Sequence, residues 1–241
     1  MHSATLLALA LAAGANVSPA LKGTAAPHYP VHPNVTATVF WVGEPKGNGS
    51  SEDNSVSAWD DRWLEHYGGF DDPRTRRPYP YFPTFRPLEN PFYLDLPYND
   101  FDNRGKPRPN RSTVVPWAPA YATALAASQR TARPFSLMKN RWVKLSRRVG
   151  KRTIVCYGQI EDAGPYVYDD AAYVFGTTGQ RPRSARANHA GLDVSPAIRD
   201  CLRFPGMNDD RTKVSWQFVE ASAVPPGPWR IVVTKRQVFW P

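Results

Sequence analysis

Cysteine is nearly absent: the chain has two, Cys156 and Cys201, in 241 residues. So small a number excludes the dense disulfide framework of a small secreted scaffold. The two thiols either bridge the run before Glu161 to the run after Asp193, or stay as buried apolar side chains; spacing alone decides neither. No Cys/His spacing suits zinc and no glycine-rich loop suits a phosphate, so neither a metal nor a cofactor is expected. His28 and His32 are four apart, but the prolines around them forbid a helix that would bring both rings to one face. Long apolar runs are missing as well, so no membrane span is expected. Acid is missing from the middle of the chain. Between Asn103 and Ile160 there are 13 Lys or Arg and no Asp or Glu, within a net charge of +9. Such a stretch suits an anionic polymer, nucleic acid or an acidic wall polysaccharide, unless it only aids solubility.

What is plentiful is proline, 25 residues, about twice the average usage of roughly 5%. Proline removes a backbone donor and fixes φ, which argues against a helical bundle and for β structure with long ordered loops. Residues 1–26 have the form of a secretory leader: a short apolar run from Ala4 to Ala13, then small-residue cleavage sites. Export favours a wall glycan over nucleic acid as the partner, and predicts a secreted or periplasmic monomer. Residues 27–35 form a Pro- and His-rich linker, and 36–241 a single domain. Its first strand is expected over 36–44, followed by a flexible loop and a helix over 57–69 capped by Ser57 and stopped by Gly68-Gly69. The stretch at about 45–138 is a long insertion; residues 71–119 alone hold 11 prolines. Within it 90–100 reads as a short strand and 120–130 as a helix. The runs Arg141–Ser146, Lys151–Ile160, Val214–Ala221 and Trp229–Trp240 read as strands, with one late helix from Pro196. The expected fold class is therefore all-β, with short helices.

Two acids stand beside rigid turn chemistry. Asp162 follows the β-branched run Thr153–Ile160 and precedes Gly164-Pro165, where a loop side chain faces a groove. Asp193 lies between Leu192 and Val194, and alternation aims it away from them. Ser195 is then a good N-cap and Pro196 a good first helical residue, so Asp193 stands on firm structure. The ordinary alternative for each acid is a bond to its own turn. His189, four residues before Asp193, is placed to touch a substrate. Tyr166, Trp59 and Trp41 are candidate sugar contacts, since aromatic faces suit the apolar faces of sugar rings.

A strand, Asp-x-Gly-Pro, a variable loop, then Leu-Asp-Val-Ser and a short helix resembles the double-psi β-barrel superfamily, which includes rare lipoprotein A domains, expansins and family-45 endoglucanases. The likeness covers mainly 36–44 and 139–234, with Asn90–Pro97 a looser match. It implies a six-stranded double-psi β-barrel carrying a polysaccharide groove, with Asp193 as the general acid that protonates a glycosidic oxygen. Hydrolysis with inversion would need a second carboxylate about 6.5–9.5 Å away. Asp162 is the first candidate for it, Asp60 and Glu44 the weaker ones. A lytic transglycosylase manages with one acid. Expansin-like wall binding without cleavage, and a structural domain whose groove the insertion fills, stay open.

Overall fold

The computed structural model describes residues 28–47, 50, 53–177, 179–207 and 211–240; the expected leader lies outside them. Six strands, β1 (His32–Val39), β2 (Tyr93–Leu96), β3 (Trp142–Val149), β4 (Arg152–Ala163), β5 (Ala190–Val194) and β6 (Lys213–Val219), close into a barrel in the order β1-β5-β2-β4-β3-β6. The barrel is of mixed sense: β1 with β5 and β2 with β4 are parallel, the other neighbours antiparallel. Parallel partners need long crossovers. The proline-rich insertion and the middle hairpin supply them.

Alternation places the core. In β6, Val214, Trp216 and Phe218 point inward between partly exposed Lys213, Ser215, Gln217 and Val219. Val35, Ala37, Val39, Leu94, Leu96, Val143, Leu145, Ile160, Leu192 and Val194 complete the interior. A second, smaller cluster of Phe40, Val42, Trp63, Tyr67 and Tyr93 lies under the insertion. Helices are short: α1 (Trp63–Tyr67), α2 (Arg111–Val114), α3 (Ala122–Thr131), α4 (Ala171–Val174), the kinked turn α5 (Arg186–His189) and α6 (Pro196–Cys201). In α6 the Ser195 hydroxyl accepts the Ile198 N–H at 3.2 Å, Pro196 opens the helix, and Ile198 and Cys201 are buried. The two cysteines are bonded, tying β4 to α6.

Several expected boundaries move. The first strand begins at His32, inside the supposed linker, because the His32 ring is buried and stacks on Trp216 at 4.1 Å. It ends at Val39, after which Phe40 and Val42 turn out to meet Trp63 and Tyr67. The helix expected over 57–69 is confined to α1. Ser57 does not cap it but pairs with Asp60 in a tight turn, while Gly68 stops the helix in the left-handed region at φ 98°. The strand expected over 90–100 shrinks to β2, and β4 runs on to Ala163, so Asp162 is a strand residue. Residues 229–240 do not form a strand of the barrel. With β6 already paired on both sides, no edge is free, and the segment lies across the outside as a strap. Thr234 binds Asn90 and Gln159, and Phe239 pairs with Trp59 and Asp61.

Candidate functional site

The parallel pairing of β2 with β4 sets Asp95 opposite Asp162, and β5 lies on the other side of β2. Asp162 and Asp193 therefore stand on strands two spacings apart, about 10 Å between backbones, with Asp95 between them. Asp95 Oδ1 accepts the backbone N–H of Asp193 at 2.8 Å. Its other oxygen lies against Gly164: a Cβ there would fall 2.6 Å from Oδ2, so only glycine fits that close approach. Burial, then the charges of Asp193 and Asp162, hold the Asp95 carboxyl well above the ordinary range. Its surroundings favour the protonated form at the floor of the site.

Asp193 is partly exposed, unlike its neighbours Leu192 and Val194. The Thr38 hydroxyl, on the parallel partner β1, donates to its Oδ1. Burial of the carboxylate outweighs that bond and raises its pKa to about 6. Glu44 is buried just beyond β1, accepts from Asn54 Nδ2 at 3.2 Å, and is pushed to about 7 by burial and then by the Asp193 charge. Asp162 spends one oxygen locally: Oδ1 accepts the N–H groups of Ala58 at 2.7 Å and Ala163 at 2.8 Å. Tyr166, two residues beyond Gly164, sits at the rim with φ +60° and carries the Arg186 guanidinium 5.5 Å above its ring. Burial, then Asp193, raises the Tyr166 phenol, so it is a neutral donor there.

Comparison of the chain with protein-family models, with curated proteins and with solved structures finds no match to any of them. The site therefore rests on its own geometry.

The remaining candidates lie elsewhere. Asp60 is fully buried and its carboxylate meets His66 Nδ1 at 2.7 Å. It faces Lys139 and Glu89 beneath the strap rather than the site. Trp59 and Trp41 are enclosed, the first donating to Asn99 Oδ1 at 3.0 Å, so neither offers a face to solvent. His189 is exposed at the end of α5, its Nδ1 3.1 Å from the Ser184 carbonyl oxygen. Among the described residues no group of three or more His, Cys, Asp or Glu is arranged to hold a metal ion, and no helix is long and apolar enough to cross a membrane.

Asp95 is the site residue that sequence reasoning passed over. Its signal was present: Leu94-Asp95-Leu96 repeats the pattern of Leu192-Asp193-Val194, an acid between two core side chains. An acid in that setting is buried or aimed at a site, and here the two meet. Chemically the group is graded, with a buried acid that holds its proton tightly below, Asp193 raised to about 6 above it, and the Asp162 carboxyl fixed by two N–H groups beside it. That gradation suits proton donation to a bound substrate.

Proposed function

We propose that the chain is an exported, glycan-cleaving barrel of the double-psi kind, with Asp193 as its general acid. The observation that carries this is the setting of Asp193: its N–H is held by Asp95 Oδ1 at 2.8 Å, and burial raises its own carboxyl to about 6. At mildly acidic pH it keeps a proton that it can give to a glycosidic oxygen.

The engagement of Asp162 Oδ1 by two N–H groups favours single-acid chemistry over activation of water by that residue. In such a reaction Asp193 protonates the leaving oxygen. The resulting carboxylate then takes the proton of the sugar hydroxyl that attacks the same carbon. An expansin-like module that only binds would need a flat aromatic strip. The tryptophans at 41, 59, 63, 117, 142, 216 and 229 are instead buried, which weighs against that reading.

Incubation of the mature protein with peptidoglycan, cellulose and acidic glycans, beside Asp193→Asn, tests the proposal. Soluble sugar released by the wild type and lost in the variant is expected. Product that survives the substitution would remove Asp193 from the reaction. Pelleting with the polymer but no product from either protein would make this a binding module.

A further inference from the structure

We propose that Arg186, lying over the Tyr166 ring at the rim of the acidic site, receives a carboxylate of the sugar chain, so that the substrate is an anionic glycan. The inference rests on the glycan reading above and adds to it the charge of the polymer.

The segment from Arg181 to His189 carries three arginines and no acid. Two of them are engaged. Arg181 donates to the carbonyl oxygens of Pro33 and Asn34, and Arg183 pairs with Asp169. Arg186 is exposed, and among the described residues its side chain makes no ion pair; its contact is the face of Tyr166 at 5.5 Å. An arginine held on an aromatic ring keeps its planar fork of N–H groups free at the edges, where a carboxylate binds through two parallel hydrogen bonds.

The backbone holds it there. Ala187, Asn188 and His189 adopt φ values of 45°, 53° and 57° in succession, a left-handed run without a glycine. The Asn188 carbonyl oxygen accepts from the Thr36 hydroxyl at 2.7 Å, pinning that run to β1. Strained backbone of this kind persists where the surroundings over-determine it, and it clusters at ligand clamps.

The charge pattern gives the reason for a cation at this place. Above about pH 6 the ionised Asp193 repels an anionic group brought onto the floor. A positive group on the rim lets the anionic sugar next to the cleaved bond bind without bringing its carboxylate onto the floor. A neutral glycan would take hydrogen bonds from Arg186 but gain nothing from its charge.

Binding is to be measured by calorimetry on three anionic probes: oligogalacturonate, oligoalginate, and peptide-stripped peptidoglycan strands with free muramic carboxylates. Each is compared with its carboxyl-reduced form, using wild type, Arg186→Ala, Arg186→Lys and Asp193→Asn. At least one native probe is expected to bind tenfold or more tightly than its reduced form. Arg186→Ala should erase that preference and Arg186→Lys should keep part of it. Asp193→Asn should retain it while losing cleavage. Equal binding of native and reduced forms, or a preference that survives Arg186→Ala, overturns the inference. Cleavage of a neutral glycan that depends on Asp193 but not on Arg186 would do so while leaving the proposed function intact. Failure to bind any of the three native probes overturns the inference, and release of sugar from cellulose then decides the proposed function separately.

Discussion

Asp193 couples the proposed chemistry to stability. Its folded pKa of about 6 lies above the ordinary 3.8 of an aspartate. The folded state thus holds its proton more tightly than the unfolded chain does. That contribution is fully present below about pH 4 and is lost as pH rises through 6. Asp193→Asn, which cannot ionise, should be more stable than wild type at pH 7.5, by about 1–3 kcal/mol, and gain little at pH 4. Thermal unfolding at the two pH values measures this, and an equal difference at both would show that Asp193 does not titrate as described. Gly164 offers a second check at the same scale. Gly164→Ala sets a methyl group 2.6 Å from Asp95 Oδ2. The carboxyl must then move off the Asp193 N–H, and we expect destabilisation of about 1–3 kcal/mol together with loss of activity. Unchanged denaturation would mean that the two strand ends are looser than the bonds between them imply.

At the scale of elements, the best-legible part of the chain was the stretch from β3 to β6. Alternation in Val214–Val219 and the Ser195-Pro196 start of α6 are local signals, and local signals survive into the fold. Ser195→Ala should cost about 1 kcal/mol, the usual worth of an N-cap, read as a shift in the denaturation midpoint at constant slope. The cysteine bond closes a loop of 45 residues. Replacing both cysteines by alanine should cost about 2–4 kcal/mol, more than the cap, and a cost below that of the cap would count against a bond formed in solution. What could not be read was decided by partners far away in sequence. His32 joins β1 because Trp216 lies beneath it, and the run at 229–240 is not a strand because β6 already has two neighbours. Asp162 and Asp193 were legible through the turn and cap beside them. Asp95 was not, since its meaning depends on β2 being the strand between β4 and β5. The tryptophans misled for a related reason. Composition made them candidates for a sugar platform, but Trp59, Trp117, Trp142, Trp216 and Trp229 join the main core and Trp63 the smaller cluster under the insertion.

Over the whole molecule, the strap, the insertion and the barrel wall meet around a buried ion network. Lys139 Nζ bonds Glu161 Oε2 at 2.8 Å, with both side chains fully enclosed. Glu89 from the insertion lies near, with Arg236 of the strap 3.5 Å from it, and His66 packs edge-on to Phe239 at 4.8 Å. Burial, then the Glu89 charge, hold Glu161 at about 7 in spite of Lys139. A pair this enclosed gives little net stability when intact, because desolvation of both charges offsets their attraction; breaking it from one side is what costs. Lys139→Met removes the cation that holds Glu161 down and should destabilise by about 3–5 kcal/mol at alkaline pH, where the carboxylate is left unpaired. The cost is less at neutral pH, where Glu161 takes up a proton instead. Lys139→Met with Glu161→Gln removes both charges and should recover much of that loss. The difference, taken from a double-mutant cycle by chemical denaturation, separates an ion pair that locks three layers together from one that merely occupies space between them. If the double variant is as unstable as Lys139→Met alone, the charges are not what joins the layers, and the packing of Phe239 and Thr234 against the wall must carry that role instead.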